Sequence, residues 1–590
     1  MKDSRTHRRQ NGFSLIEILL AVGVFALFGT IMLSAFVYGR DAVRQAGDRV
    51  RAVELANGGI EVVRNIANPN YSNLSSFTNG TTYYVSTINN QWQLTTAPQL
   101  IDGKYTRKVI FGDGPNGSRA VNVTVAWAHN LTRTSNITVS TYFANWRQPT
   151  APANKSGLFV YADGGTTSDS IKYRQLQLDG TWTTASPLPD VDPSTTNQAA
   201  RSVKLFPAQT GSAKMLLTRH FNGTTQYFYA TYWNGSAWGT PQLLAQWNST
   251  SYVNVGNFGG DWLADGSFMT VYSDGSNAPK SKIFNGSSWG PTVNVGSLGS
   301  TSNFPSNIVV KARPQTNEVM MAVLDFEYNT NSNYYSNGSW RGYVKHASNS
   351  VGNSSKQIDF DWSPIDPTTG ALVYTVNTQD RSLRARTFTA DGQGSGSWNP
   401  VSNSNNQPVG STIGSLAQAP RPSVASDFVS CDKDQDSPPA IYCYKFSPGP
   451  NGWQDPANKL ITTSTAPGLQ LSLDLAYEAK TSNLGLILYS DNTASAKLKR
   501  YDSIANSWDV NPVLGLPAAS GIIQKTRLVA RPNTDDLMTI VADANKNLYT
   551  GVFNGTDNTI YSSPSGKAWT NQNANGPSNS AVWFDFSWDN

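Results

Sequence analysis

The segment ATYWNGSAWGT, residues 230–240, runs an apolar stretch into an Asn-Gly turn and restarts on a tryptophan. Asn-Gly between such runs is a strong hairpin signal, because glycine, and asparagine more than most residues, tolerates positive φ. The pattern returns as LDGTW, FNGSSW, SNGSW, GSGSW, PNGW, ANSW and GKAW, with Trp at 182, 238, 289, 340, 398, 453, 508 and 569. Successive tryptophans are 51 to 61 residues apart. A unit of that length holds several short strands and is too long for one coil of a solenoid. The eight units therefore read as blades of a β-propeller. In each blade the Trp is expected to start the outer strand and wedge against the neighbouring blade.

Two further matches set the limits of this domain. KARPQTNEVMMAVLD at 311–325 matches VARPNTDDLMTIVAD at 529–543. The first unit opens on GLFVYADGG, 157–165, and lacks a first strand. The chain end, AVWFDFSWDN at 581–590, resembles IDFDWSP at 358–364, which precedes the second strand of a full unit. The C-terminal strand is thus expected to complete the first blade of a propeller spanning 157–590. Upstream, RQPTAPANKS at 147–156 is a Pro-rich linker.

Residues 69–146 read as a small β head. Val121, Val123, Val125 and Trp127 alternate with Asn122, Thr124 and Ala126, and Asn116-Gly117 sits between two such runs. Three to five antiparallel strands are expected, with one face on a helix covering 13–68. Along that helix Val43, Ala46, Val50, Val53, Ile60, Val63 and Ile66 form one apolar face. Gly58-Gly59 is expected to be a soft point, and Asn68-Pro69-Asn70 ends the helix. The fold class is therefore multidomain: a long N-terminal α-helix with an α+β head, then an all-β propeller of about eight blades.

The helix begins in NGFSLIEILLAVGVFALFGTIMLSAFVYGR, residues 11–40, where 26 residues from Phe13 to Tyr38 carry one formal charge, Glu17. At ~1.5 Å per residue such a helix reaches roughly 39 Å, enough to span a bilayer. Lys2, Arg5, Arg8 and Arg9 precede it, which keeps residues 1–12 cytoplasmic and sends the rest of the chain outward. A carboxylate at the centre of a span costs about 2.5–3.5 kcal/mol, less near an end, and normally has a partner.

Gly12-Phe13-Ser14-Leu15-Ile16-Glu17, followed by ILLAVGVFALF, resembles the prepilin cleavage and methylation motif of type IV pilins and type II secretion pseudopilins. The resemblance covers about 30 residues. It implies cleavage after Gly12 by a prepilin peptidase and N-methylation of Phe13. It also implies an assembly role for Glu17, pairing with the N-terminal amine of a neighbouring subunit. The stalk segment ELANGGIEVVRNIANPNY likewise resembles pilin-like proteins.

The composition narrows the chemistry. Charged residues make up 14% and the net charge is +5, which leaves no footprint for nucleic acid. Four His and two Cys offer little for a metal site, and neither HExxH nor a Gly-rich phosphate loop is present. An Asp recurs after the second strand of many units, at 163, 274, 325, 432, 491 and 543. Each reads as an Asx-turn, or else as part of a carboxylate ring for a cation or a sugar hydroxyl. CDKDQDSPPAIYC, 431–443, alternates Asp432, Asp434 and Asp436 as a calcium loop does, but lacks the Gly and the closing Glu of an EF-hand. It is either a solvated acidic loop or a Ca2+ site. Cys431 and Cys443 flank it and are expected to form a disulfide outside the cytoplasm, with free buried thiols as the alternative. His129, His220 and His346 read as surface or turn residues. Tyr227, Tyr229, Trp233, Tyr334 and Tyr335 read as blade packing, or as stacking platforms for sugars.

These features favour a non-enzymatic role. The chain is expected to be a minor subunit of a type IV pilus or pseudopilus, single-pass in the cytoplasmic membrane before assembly. Its propeller would be displayed outside for adhesion or binding of a glycan or protein. Expected partners are other pilin or pseudopilin subunits, the prepilin peptidase and the membrane. Two alternatives stand beside this: a secretion pseudopilin that contacts cargo, and a glycan hydrolase. The second rests on a resemblance of the turn-plus-Trp repeats to the S-x-D-x-G-x-x-W boxes of sialidase-like propellers. Most of the Ser and Asp are absent here, and Arg313 and Arg531, candidates for gripping a carboxylate, share one repeat position.

Overall fold

The computed structural model describes residues 14–589 apart from 68–73, 75–76, 89–90, 115–118, 131–132, 144–156, 165–169, 178–179, 192–197, 251–255, 351–355, 377–381, 405–412, 449–451, 468–470, 557, 562–569, 573, 575 and 578–581. The linker expected at 147–156, Trp569 and the leader 1–12 lie outside the described residues. Two compact units form, Met1–Ala153 and Asn154–Asn590.

The first unit is built on one helix, α1, Leu15–Ala67. Glu17 in its first turn and Arg64 in its last complement the helix dipole. Its first half buries nothing: Leu15, Phe25 and Phe36 are all exposed. Its second half packs on a sheet through Ala52, Ala56, Ile60 and Val63, spaced four, four and three residues apart. This seam differs from the expected face, for Val43 and Val50 are 74% and 61% exposed. Small residues make the seam because backbone and sheet approach closely there. A Cβ on Gly59 would lie 2.7 Å from Val123 Cγ1. The Gly58-Gly59 pair is therefore a point of contact in an unbroken helix and not a soft point.

Six strands form the sheet: β1 (Thr82–Ile88), β2 (Gln91–Thr95), β3 (Leu100–Ile101), β4 (Tyr105–Asp113), β5 (Arg119–Asn130) and β6 (Arg133–Phe143). The order is β2-β1-β4-β5-β6 with β3 on β4, one strand more than expected. The β4–β5 ladder runs from Tyr105 opposite Trp127 to Asp113 opposite Arg119; the turn Asn116-Gly117 lies outside the described residues. Val121, Val123, Val125 and Trp127 face α1, as alternation demands.

Eight antiparallel sheets make the second unit. In seven, four strands pair in chain order from the inside outward. The first blade takes its inner strand, Phe584–Trp588, from the chain end, with Phe586 opposite Phe159. Each inner strand touches the inner strands of its two neighbours, and the series closes on itself. Closure is fastened by Lys214 of the second blade. Its fully buried ammonium donates to Trp588 O (3.2 Å) and Asp589 Oδ1 (2.5 Å).

The blades alternate in kind. Inner strands of blades 2, 4, 6 and 8 each carry a β-bulge, at Ala200/Ser202, Pro305/Asn307, Ile413/Ser415 and Ile523/Lys525. Those of blades 3, 5, 7 and 1 are five-residue strands, FGGDW, IDFDW, LDLAY and FDFSW. Trp262, Trp362 and Trp588 donate their indole N–H to Phe206 O, Lys311 O and Val529 O of the preceding blade.

The turn tryptophans do not follow that alternation strictly. In blades 2, 4 and 6 they reach the preceding blade: Trp238 packs on Tyr173, Trp340 donates to Ser281 Oγ and Trp453 to Ser402 O. Trp182, Trp289 and Trp508 pack on rings of their own blade, Phe159, Phe284 and Tyr501. Trp398 of blade 5 packs on His346 of blade 4 as well as on Phe388 of its own blade, and the Trp508 backbone N–H donates to Ala457 O of blade 6 (2.9 Å). The expected wedge thus holds in blades 2, 4, 5 and 6, whereas in blade 8 the outer strand, Thr559–Tyr561, precedes Trp569. In the quoted turn Gly235 alone takes positive φ (98°), while Asn234 Oδ1 caps the N–H groups of Ser236 and Ala237 at 2.9 Å.

Candidate functional site

The first candidate is the start of α1. Ser14 N–H donates to Glu17 Oε2 (3.0 Å) and Ile16 N–H to Ser14 Oγ (3.3 Å). The Glu17 contact is the return half of a capping box, in which the carboxylate reaches back over the first turn. Glu17 is thereby held beside the N-terminal end of the helix. Further along, Thr30 and Ser34 satisfy their hydroxyls on the carbonyls one turn back, Ala26 O and Thr30 O, both at 2.8 Å. This leaves the surface apolar. The helix is long and apolar enough to cross a membrane. Gly12 and Phe13 lie outside the described residues.

The propeller carries the other candidates. Cys431 and Cys443 are opposite each other on adjacent strands of blade 6, joined by a disulfide and fully buried. Asp432 lies inside the strand Phe428–Asp434, so Asp434 occupies the loop position that Asp325 and Asp543 hold in their blades. Its Oδ1 accepts the N–H groups of Ala440 (2.8 Å) and Asp436 (3.2 Å). Asp432, Asp434 and Asp436 do not assemble as a ligand set; no group of three acidic, His or Cys side chains among the described residues does.

The recurring Asp side chains close their own loops in two ways. In blades 1, 3 and 7, Asp163, Asp274 and Asp491 pair with Lys172, Lys280 and Lys497 at the start of the next strand. In blades 4 and 8, Asp325 and Asp543 accept backbone N–H groups of Asn329 (2.8 Å) and Asn547 (2.9 Å). An Asx-turn proper, with the N–H two residues on, is made by Asp274 to Ser276 (3.0 Å) and by Asp434 to Asp436 (3.2 Å); the contacts of Asp325 and Asp543 span four residues.

Arg313, Arg421 and Arg531 occupy equivalent positions in blades 4, 6 and 8. Each pairs with an acid of its own turn, Glu318, Asp427 and Asp536. Each also crosses to the next blade: Arg313 Nε donates to Pro367 O, Arg421 Nε to Ser482 O, and Arg531 lies 5.1 Å from the Trp588 ring. They act as straps between blades. The expectation for the histidines fails in part. His220 is fully buried on a strand, bonded to Gln198 O and Thr218 Oγ1, and burial pushes its pKa down to about 4. His346 is pushed down to about 3 by burial and then Arg386. Tyr229, Trp233 and Tyr334 are buried in blade packing.

Sequence reasoning missed a charged network along the inner strands. Asp585, Asp474 and Asp359 each accept a backbone N–H from the next blade, those of Leu205 (2.9 Å), Leu528 (2.8 Å) and Gln418 (3.2 Å). Arg527 bridges Asp585 (2.9 Å) and Asp474 (3.3 Å), and Lys311 pairs with Asp361 (2.6 Å). Lys204 meets Phe258 O at 2.5 Å, and burial, with Lys356 nearby, pushes its pKa down to about 7. The signal was present in the D of IDFDW, LDLAY and FDFSW. Sequence reading also passed over Glu478, which is 1% exposed, with Oε1 unbonded and its pKa raised to about 8 by burial and then Asp535.

A family model for the prokaryotic N-terminal methylation motif matches residues 7–33. The protein carries a prepilin-type N-terminal methylation motif. No curated protein of similar sequence was found. Among solved structures the chain is similar to the BP39L lectin of Burkholderia pseudomallei, at 12% identity over 66% of this chain and 98% of that one, with a TM-score of 0.44. It is also similar to the periplasmic gluconolactonase PpgL of Pseudomonas aeruginosa, at 10% identity over 62% and 97%, TM-score 0.37. A third likeness is to AofleA of Arthrobotrys oligospora, at 12% identity over 57% and 89%, TM-score 0.32. At these values the fold assignment stands on the strand pairing described above.

Proposed function

We propose that the protein is a minor subunit of a type IV pilus or pseudopilus that displays its propeller outside the cell as a binding module. One observation carries this: a prepilin-type motif and a membrane-length helix stand in the same chain as a closed ring of eight blades. The helix is the assembly and anchoring element, cut after Gly12, methylated at Phe13 and paired through Glu17. The propeller, in Asn154–Asn590, is too bulky to ride on every copy of a stacked filament, which is why the subunit is minor. Binding is favoured over catalysis because Arg313, Arg421 and Arg531, the recurring Asp side chains and His220 are engaged in straps, loop closures and strand ties. The ligand is a glycan or a protein.

Mass spectrometry of the chain purified with surface filaments tests the reading. The expected chain starts at an N-methylated Phe13 and is far scarcer than the main subunit. A chain that retains residues 1–12, or one as abundant as the main subunit, contradicts it. Screening the full chain against glycan and protein arrays then separates adhesion from cargo contact. Turnover of any arrayed glycan would restore the hydrolase alternative.

A further inference from the structure

Among the described residues the propeller blunts its outer sheet edges. Six of the eight outermost propeller strands are only two or three residues long, such as Val293–Asn294 and Ser507–Trp508. The two longer ones, Gln242–Asn248 and Ser339–Ala347, are broken by register shifts, and the second also carries Arg341, Gly342 and Lys345. Short, irregular or charged edges resist pairing with another chain.

β6 of the head lacks every one of these defences. It has eleven residues, roughly 37 Å of edge. Among the described residues it pairs with β5 alone, in a register unbroken from Phe143 to Thr134. It contains no Pro, Gly or Lys, and its one charge, Arg133, is its first residue. Its composition, RTSNITVSTYF, is β-branched and polar, and Asn136, Thr138, Ser140 and Tyr142 are exposed. The residues that follow, ANWRQPTAPANKS (144–156), bring Pro149 and Pro152, which have no N–H to offer a ladder.

We infer that β6 is a docking edge for a β-strand from the head of a neighbouring pilin-type subunit, extending the head sheet across the subunit boundary. The inference rests on the assembly reading above. Packing N-terminal helices side by side brings heads together, and a contact between β6 and a different strand of the neighbouring head is heterologous, which suits an open filament. The partner's backbone would supply bonds along the outer side of residues 134–142.

Proline substitution of the full chain tests this in filament-forming cells. Adjacent residues of an edge strand turn their N–H groups alternately inward and outward, so one of Ser140→Pro and Thr141→Pro spares the β5 ladder. Protease resistance of the head identifies that one. It is expected to enter the membrane and be cleaved normally, yet to fall at least tenfold in filaments. If both prolines unfold the head, Thr138→Lys/Ser140→Lys on exposed positions gives the same readout. Wild-type incorporation of the folded variant overturns the docking edge and leaves the assembly reading intact. Absence of the unmodified chain from filaments overturns both.

Discussion

Glu478 offers a quantitative test of the interface between blades 7 and 8. The residue follows Tyr477 at the end of an inner strand, where blade 1 has Asp589. Asp589 is neutralised by Lys214, but Glu478 faces Asp535 and the backbone of Gly555, whose Cβ position lies 2.6 Å from Oε1. Burial and Asp535 raise its pKa from 4.5 to about 8. The folded protein thus keeps the proton between those pH values, while the unfolded chain releases it. Stability contributed at this site is full below pH 4.5 and falls as pH rises towards 8. At about 1.36 kcal/mol per unit, the loss at pH 7 is of order 3 kcal/mol. Glu478→Gln cannot ionise and recovers that loss, less about 1–2 kcal/mol where the new amide finds no acceptor. For a unit of roughly 440 residues the unfolding entropy is about 0.9 kcal/mol/K, so 1–3 kcal/mol raises Tm by about 1–3 °C at pH 7. Differential scanning calorimetry of the full chain at pH 5 and pH 8 is the assay. The variant should lie above wild type at pH 8, and match it or lie about 1 °C below it at pH 5, where little ionisation loss remains to offset the unpaired amide. An unchanged or lower Tm at pH 8 would show that Glu478 is ionised and partnered, which refutes the reasoning.

Three further outcomes follow from the packing. Replacing both Cys431 and Cys443 with Ala opens a cross-link across a separation of 12 residues; it should cost about 3 kcal/mol, read as a lower propeller Tm that reducing agent no longer affects. Gly59→Val drives a side chain into Val123 and should destabilise the head by about 1–3 kcal/mol, whereas Gly47→Ala, with open space around it, should leave the head unchanged or firmer; proteolysis of the stalk and head separates the two. Removing residues 581–590 takes the inner strand from blade 1 and leaves the Lys214 ammonium buried without Asp589. The truncated chain should be degraded or aggregate, and a stable soluble product would contradict the closure.

The blade count was legible because a tight turn needing positive φ recurs before most outer strands, at Gly235, Gly286, Gly338 and Asn506 among others, and the closure because the chain end repeats the pattern of an inner strand. The two-blade alternation was not read, although Arg313, Arg421 and Arg531 mark it. It resides in the inner strands, where bulges and interblade hydrogen bonds shape sequences that share few identities. The helix seam was misread for a related reason. Periodicity gives weight to large residues such as Val43 and Val50, while close approach to the sheet selects Ala52, Ala56 and Gly59. Asp432 was aligned with Asp325 and Asp543, but the strand bearing Cys431 runs on to Asp434. His220 was taken for a surface residue because nothing in its neighbourhood reveals Gln198 O and Thr218 Oγ1 as its partners. At the N-terminus, Ser14 and Glu17 at capping-box spacing, within a run otherwise free of charge, made the candidate site legible from sequence.

The central claim is that Glu17 serves assembly and not anchoring alone. Expression of Glu17→Leu, with filament incorporation, membrane insertion and cleavage after Gly12 measured side by side, tests it most directly. The account predicts normal insertion and normal cleavage with loss of the chain from filaments. Wild-type incorporation of Glu17→Leu would contradict it.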